Sequence, residues 1–383
     1  MPTKLIFLGD YCAAGVGNPT LAPDLHSMLS TADVVCVNLE APTISREHRP
    51  SPKAGPSICQ PASALETCKR WGVTHFVLAN NHIMDYGVVG LHATLGQLNE
   101  ENFFGAGLSF ERAYRPCFLE AAGKRVALLA FAEAQFGVLQ SNSDREAAGY
   151  AWVDHPQARQ AVRNARAESD FVIVQVHAGL EMVDLPLPEW RVRYREFIDL
   201  GADLVIGHHP HVIQGGECYK GKMIYYSLGN FYMDIMLRQK DAGSGGAIVV
   251  TIEPDGLKSE FIPLCATLSG VSLDQSGKGE ADYKMLSEKL TDEHIYLHEV
   301  QEICDKFWKN VYSQYYSSAL LGLGTQPRLR SAYGLLRHLA ASALKGRLFN
   351  GKSNQLLLVH NIRIETHRWV VERALKKSTG SRV

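Results

Sequence analysis

The sequence predicts a layered α/β protein, and three observations carry that reading. Six short runs rich in Val, Ile, Leu and Phe are continuously apolar, as strands covered on both faces are. Segments of helical spacing lie between them, and this βαβα order argues for sheets flanked by helices. Five of the strands also end in Asp, Glu, Asn or His, always at the C-terminal edge.

The strand runs are "KLIFLG" (4–9), "VVCVNLE" (34–40), "HFVLAN" (75–80), "VALLAFA" (126–132), "FVIVQVH" (171–177) and "DLVIGH" (203–208). Between them lie "PASALETCKRWG" (61–72), "VGLHATLGQLNEEN" (89–102), "HPQARQAVRNARAES" (155–169) and "EWRVRYREFIDLG" (189–201). Several of these have Pro near the start or Gly at the end, the usual punctuation of helices. After Pro210 the pattern changes. "HVIQGGECYKGKMIYYSLGNF" (211–231) alternates about a Lys-Gly turn, and "GAIVVTIEPDGLKSEFIPL" (246–264) reads as a hairpin closing at Pro-Asp-Gly. A mixed sheet with antiparallel strands at its end is therefore expected.

Near residue 270, "LSGVSLDQSGKGEAD" (268–282) reads as a Ser/Gly/Asp-rich linker. Helical segments follow: "DYKMLSEKL", "EHIYLHEVQEICDKFWKNVYSQYY", "SAYGLLRHLAASAL" and "NQLLLVHNIRIETHRWVVERALKK". The last carries Leu356, Leu357, Val359, Ile362, Ile364, Trp369, Val370 and Ala374, an apolar face to dock on the main domain or on a partner. The expected division is a main domain over residues 1–268 and a helical extension over 269–383.

Composition excludes several classes. The 383 residues are 46% hydrophobic and 21% charged, ordinary for a chain with a full core, and the net charge is -1. No general attraction to nucleic acid or to an anionic membrane is expected. The one basic run, at the C-terminus, reads as a solvated tail. Eight cysteines without C-x-x-C spacing suit a reduced compartment better than a disulfide scaffold. The first apolar run is only Leu5 to Leu8, too short for a signal peptide or a membrane span, and no later stretch approaches a span.

The strand ends hold the chemistry. "IFLGD" ends in Asp10, "VVCVNLE" in Asn38-Leu39-Glu40 and "FVLANNH" in Asn81-His82. "VIVQVHAGLE" delivers His177, then Glu181, and "LVIGHHPH" delivers His208, His209 and His211. In open α/β sheets ligands sit at this edge. Carboxylate, amide and imidazole donors together suit a borderline divalent ion such as Mn, Fe or Zn, and six of them suit two ions sharing a carboxylate. Each residue alone has a plainer explanation. Asp10 could cap a helix, Glu40 could be a solvated loop carboxylate, Asn80-Asn81 could form a turn and His177 could be a satisfied core histidine. Three histidines within four positions are harder to dismiss, and the joint pattern points to a metal site.

The order Gly-Asp, Asn-Leu-Glu, Asn-Asn-His, His-Ala-Gly and Gly-His-His-Pro-His resembles the CapA capsule-synthesis (poly-γ-glutamate synthesis) family of the calcineurin-like metallophosphatase superfamily. "NNHIMDYG", "GHHPHVIQG" and "YYSLGNF" are especially close, and the likeness covers about residues 4–265. It implies a four-layer α/β/β/α fold with a dimetal site. By motif match Asp10 stands as the first ligand and Glu40 where the superfamily places a bridging Asp. Asn81 matches the amide ligand, His177 the isolated histidine, and His209 and His211 the paired histidines. His82 matches the histidine that contacts substrate and assists the leaving group.

The match has departures. The superfamily's Asp-x-His is here Asp10-Tyr11-Cys12, which weakens the first metal position, and Cys12 reads better as a small buried side chain than as a zinc thiolate. The acidic residue expected after the histidine is Ile83, and Asp85 is the substitute that would orient His82. Asn38, Glu181 and His208 are candidates for supporting or substrate-contacting groups. The resemblance implies a metal-dependent hydrolase of a phosphoester or amide-like bond, linked to capsule or exopolymer synthesis, with a small-molecule or polymer-precursor substrate. Two rivals stand beside it. One is a non-hydrolytic component of a capsule assembly complex, with the C-terminal helices docking synthesis proteins. The other is a metal-free acid/base enzyme, isomerase-like, using Asp10 and a histidine. Gram-positive members of the family are usually membrane-anchored. With no anchor in this sequence, the expectation is a cytoplasmic protein.

Overall fold

The computed structural model describes residues 3–15, 19–45, 47–141, 147–239, 243–253, 256–321 and 352–379. It comprises two compact units, Met1–Ser51 with Ser57–Glu293, and Pro52–Pro56 with His294–Val383.

In chain order the first unit begins β1 (Thr3–Cys12), β2 (Thr20–Leu21), α1 (Pro23–Ser30), β3 (Val34–Leu39), α2 (Ala62–Arg70), β4 (His75–Val77), α3 (Gly87–Leu95) and β5 (Phe103–Phe104). It continues β6 (Ala106–Gly107), α4 (Phe110–Tyr114), β7 (Cys117–Ala121), β8 (Lys124–Ala132), β9 (Val138–Leu139), β10 (Gly149–Ala151), α5 (Pro156–Glu168), β11 (Phe171–His177), α6 (Pro188–Asp199) and β12 (Leu204–His208). It ends β13 (Ile213–Tyr219), β14 (Lys222–Leu228), β15 (Asn230–Met233), β16 (Ser244–Glu253), β17 (Gly256–Thr267), β18 (Gly270–Leu273) and α7 (Lys278–Lys289).

The six apolar runs divide between two sheets. The first has the order β2-β18-β17-β16-β1-β3-β4-β5, with β15 also paired to β1; the second has β13-β14-β12-β11-β8-β7. A small third sheet has the order β6-β10-β9. The centre of each large sheet is parallel, and antiparallel strands complete it, as the change of pattern after Pro210 predicts. The mixed α/β class expected from the sequence is the class found. Residues Pro254 and Asp255 of the expected turn lie outside the described residues, but their flanking strands pair, Glu253 opposite Gly256.

Period-two alternation explains why the runs are apolar throughout. In the second sheet Leu128, Ile173, Leu204 and Ile206 join a core shared with Phe7, Val37 and Phe76 of the first. Residues of opposite parity face α5 and α6, which pack on β8, β11, β12 and β14. There Phe131 stacks on Phe197 with ring centroids 5.6 Å apart. Both helices begin with Pro, and Gly201 closes α6 at φ +115°.

The first compact unit runs past residue 268, to Glu293. The stretch read as a linker is β18 followed by α7. Its small polar residues serve as turn and cap chemistry. Gly270 passes so close to β2 that an added Cβ would lie 2.0 Å from Thr20 O. Asp274 accepts hydrogen bonds from Ser276 N (2.9 Å) and Gly279 N (2.7 Å) where α7 begins. Along α7, Tyr283 stacks on Phe261 at 4.2 Å.

The second unit contains α8 (Glu293–Phe307), a π turn (Trp308–Tyr312), α9 (Ser313–Leu321), α10 (Lys352–Arg363) and α11 (Glu365–Thr379). The helix expected over 331–344 lies outside the described residues. The apolar face expected over the last segment is split, because the chain breaks between α10 and α11. Leu357, Ile364, Val370 and Ala374 are buried, whereas Val359 and Ile362 are exposed. The basic C-terminal run is helical as far as Thr379, and its Lys377 pairs with Asp305 at 2.6 Å.

A partly buried ion cluster ties α6 to β13. Glu217 accepts hydrogen bonds from Arg195 (2.7 Å), Arg191 (2.8 Å) and the Tyr226 hydroxyl. Burial pushes the Glu217 carboxyl up, but these donors outweigh it and hold it at about 2. A depressed folded value means stability that is present above the unfolded value, near 4.3, and is lost as pH falls towards 2. Glu217→Gln is therefore expected to cost about 1–3 kcal/mol at pH 7, a difference that shrinks below about pH 3. Urea unfolding of both proteins at the two pH values measures it.

Candidate metal centre

The two parallel sheet centres bring their C-terminal strand ends to one place. Asp10 leaves β1, Glu40 follows β3 and Asn80-Asn81-His82 follow β4. From the second sheet, His177 ends β11, His208 ends β12, and His209 and His211 lie in the loop beyond. Alternation places Ile173, Gln175 and His177 on one face, and Leu204, Ile206 and His208 on the matching face of β12. That face meets Cys36 and Asn38 of β3 and Asp10 of β1. Three contacts cross between the sheets: Cys36 Sγ to Gln175 Nε2 (3.5 Å), Asn38 Nδ2 to His177 Nδ1 (2.9 Å) and Asp10 Oδ1 to His208 Nδ1 (3.4 Å). The shared core thus turns from apolar to polar toward the strand ends.

Backbone geometry sets the approach of these groups. Asp10 N donates to Gly229 O at 3.1 Å, and a Cβ on Gly9 would lie 2.1 Å from the same oxygen, so only glycine lets β1 reach this segment. His209 and His211 have φ of +95° and +60°, uncommon for residues with a Cβ. The strained loop is pinned by Met182 N to Pro210 O (2.8 Å) and by His209 N to Asp10 Oδ2 (3.0 Å). Asn80 is a turn residue that lets its neighbours point inward. Its Oδ1 accepts from His82 N (3.2 Å) and Ile83 N (2.9 Å), while its amide donates to Leu39 O (2.9 Å) and Asn38 Oδ1 (3.2 Å).

The structure brings Asp10, Glu40, Asn81, His177, His209 and His211 together. His177 Nε2 lies 3.0 Å from Asn81 Oδ1, 3.0 Å from His209 Nδ1 and 3.5 Å from Glu40 Oε1. On the other side, His211 Nδ1 is 3.6 Å from Asp10 Oδ2 and His211 Nε2 is 3.7 Å from Glu40 Oε1. Glu40, His177 and His209 form one group able to hold a cation, Asp10, Glu40 and His211 form another, and the exposed Glu181 forms a third with His209 and His211. Glu40 belongs to the first two.

A single proton on His177 Nε2 can serve only one of its three neighbouring acceptors. Glu40 is fully buried, and both its carboxylate oxygens lack a hydrogen-bond partner among the described residues. Such a group carries a large desolvation penalty unless a cation or proton meets it. Burial first, then the nearby Asp10 and Glu181 carboxylates, push Glu40 well up. Burial and the neighbouring His209 hold His177 well down, and burial holds His209 at about 4. Neutral imidazoles are the form that binds metal. Asp10 is opposite. Burial raises it, but His208, His177 and His211 outweigh that and keep its carboxyl well below the usual range. The donor set therefore fits divalent ions.

His82 Nδ1 lies 2.7 Å from Asp85 Oδ2, which also accepts from Ile58 N at 2.7 Å. Cys12 is fully buried in a small apolar cluster with Ala14, Ala41 and Met233, and burial pushes its thiol well up. It joins none of the donor groups. Glu181 is exposed, its Oε1 3.9 Å from His209 Nε2. Sequence reasoning missed Asn230. It pairs with Asp10 across β15, and its Oδ1 lies 3.0 Å from His211 Nδ1, fixing that ring. The signal was there: a polar residue after Gly229 at a strand end.

The sequence model of the family described as "Bacterial capsule synthesis protein PGA_cap" matches residues 9–235, a span that contains every residue of the centre. Capsule biosynthesis protein CapA of Bacillus anthracis is 33% identical over 220 residues, covering 54% of this chain and 52% of that protein. PGA biosynthesis protein CapA of Bacillus subtilis (strain 168) is 31% identical over 213 residues, covering 55% and 56%. The chain thus spans about half the length of the curated relatives it matches. Among solved structures, the Thermus thermophilus sulfate thiohydrolase SoxB in complex with glycerol aligns at a TM-score of 0.43 and 13% identity, covering 74% of this chain and 60% of that one.

Glu40→Gln separates the cost of the buried carboxylate from its use. In metal-free protein the substitution is expected to leave stability unchanged or raise it, because Gln carries no charge to bury. With Mn²⁺ at about 100 times Kd, wild type should gain about 2.7 kcal/mol and the variant much less. Thermal unfolding with and without Mn²⁺, after chelation, reads both effects.

Proposed function

Because this chain belongs to the bacterial capsule synthesis family PGA_cap, we propose that it is a metal-dependent hydrolase serving capsule or exopolymer synthesis. Its bond is a phosphoester or an amide-like linkage of a small-molecule or polymer-precursor substrate. The observation that carries the reading is Glu40, a fully buried carboxylate without a hydrogen-bond partner among the described residues, shared by two groups of cation donors. Asn81, His177 and His209 would complete one position, with Asp10 and His211 at the other. Divalent ions bound there, two of Mn, Fe or Zn, would polarise the scissile centre and lower the pKa of water at the site.

The chain's own residues supply orientation and proton transfer. Asn38 donates to Asp10 Oδ1 at 2.6 Å and fixes that carboxylate. Asn230 sets the ring of His211. Asp85 accepts the Nδ1 proton of His82, which assigns the Nε2 atom to proton exchange with the leaving group. Low solvent exposure of His82 and Asp85 strengthens that hydrogen bond. All eight cysteines are free, which supports a reducing compartment, and we place the reaction in the cytoplasm. Among the described residues no helix is long and apolar enough to cross a membrane. Capsule or exopolymer synthesis proteins are the partners this reading implies.

The test is metal content of the purified full chain together with a screen of phosphodiesters, phosphomonoesters and γ-glutamyl peptides. Stoichiometric divalent metal and turnover of one class are expected. Absence of metal, with activity untouched by His209→Ala, overturns the reading. On the substrate found, His82→Ala should lower kcat by about 10²–10⁴. That loss should shrink for analogues whose leaving group needs no proton. Asp85→Asn should show the same leaving-group dependence with a smaller loss.

A further inference from the structure

Asp10 is a carboxylate that must be held still, yet the histidine that the family's first motif would place beside it is Cys12, turned into an apolar cluster. His208 is a buried histidine with no part in any of the donor groups. It has no exposure to solvent and lies on the inner face of β12. Its Nε2 is 3.1 Å from Gln175 Oε1, and the Gln175 amide nitrogen is 3.5 Å from Cys36 Sγ. Its Nδ1 faces Asp10 Oδ1 at 3.4 Å and has no hydrogen-bond partner among the described residues.

A neutral imidazole carries one N–H. Were it on Nε2, the Nδ1 lone pair would face a carboxylate oxygen inside a fully buried site, acceptor against acceptor. Half a turn of the Gln175 amide about its last torsion removes the conflict. Its nitrogen then donates to His208 Nε2, and its oxygen accepts from the Cys36 thiol. Nδ1–H is left to donate to Asp10 Oδ1. Cys36, Gln175, His208 and Asp10 Oδ1 then each face a group of the complementary kind, as a buried network requires.

We propose that His208 is the positioning residue for Asp10, held in its Nδ1–H form by Gln175 and Cys36. It does so from the opposite sheet, at the end of β12. Oδ1 is taken by Asn38 and His208, and Oδ2 is left on the side of the His209 amide and His211. This inference rests on the reading of the six donors as a metal centre.

The experiment is Mn²⁺ titration of the full chain by calorimetry, comparing wild type, His208→Leu and His208→Asn, with thermal unfolding of the metal-free proteins as the check on folding. His208→Leu is expected to weaken Mn²⁺ binding by about 10–100-fold. His208→Asn, whose amide N–H stands near the Nδ1–H position, should recover most of that loss. A merely structural role would not be rescued in this way. Unchanged binding by His208→Leu, or equal loss in both variants, overturns the proposal. Should His208→Leu not fold, Gln175→Met takes its place in the same titration, with a weaker Mn²⁺ affinity expected and an unchanged one counting against. Nitrogen NMR of the metal-free wild type gives a separate arm: a proton on His208 Nδ1 is expected, and a bare Nδ1 overturns the proposal. Wild type that binds no Mn²⁺ fails the metal-centre reading instead, and the NMR arm then decides the role of His208.

Discussion

The rest of the site depends on one buried charge. Glu40 lies between two sheets with nothing among the described residues to donate to it, and every neighbour bears on that fact. Imidazoles approach one of its oxygens from both sides, His177 at 3.5 Å and His211 at 3.7 Å. Burial of an isolated carboxylate would cost several kcal/mol, so a fold that keeps one here must meet it with a cation or a proton. The same logic orders the shells around it. Asn38, Asn80, Asn230 and Gln175 are neutral amides, each able to donate and accept, and they fix the ring and carboxylate orientations without adding charge.

Geometry of this kind has local costs. His209 and His211 occupy the left-handed region, at roughly 1–3 kcal/mol apiece. The loop holds because its backbone is bonded on both sides, to Met182 and to Asp10. Gly9 gives up a side chain so that β1 and β15 can meet, and Gly229, at φ +64°, lies too close to Ser244 O to carry one. Strain and missing side chains concentrate where five strand ends converge, and the apolar core behind them, Leu128, Ile173, Ile206 and Phe7 among others, supplies the stability that tolerates them.

Much of this was legible in the sequence, for physical reasons. A strand buried on both faces must be apolar throughout, so a polar residue at its end stands out, as Asp10, His177 and His208 do. Asn230 did not stand out because its run is short and sits within a Tyr-rich segment. The extent of the first compact unit, to Glu293, is not legible locally because Gly270, Asp274 and Gly277 look like linker residues. Their role depends on the partner they meet: Gly270 lies against Thr20, some 250 residues away in sequence. Likewise the break between α10 and α11 cannot be read from spacing that stays apolar across it. Cross-sheet contacts such as Cys36 to Gln175 are tertiary, and no local pattern encodes them.

The sequence separation of the donors has a consequence for how the protein comes into being. Asp10 meets the His209 amide across 199 residues, and Asn38 meets His177 across 139. No fragment shorter than Asp10 to His211 contains all six donors. On the ribosome, the emerging chain exposes each histidine and carboxylate long before its neighbours exist, and such non-local pairings close late. The nascent polypeptide therefore offers no high-affinity ion site. Under the proposed metal-centre reading, capture of an ion would wait until both sheets have docked, so that it would stabilise the finished domain without trapping an unfinished one.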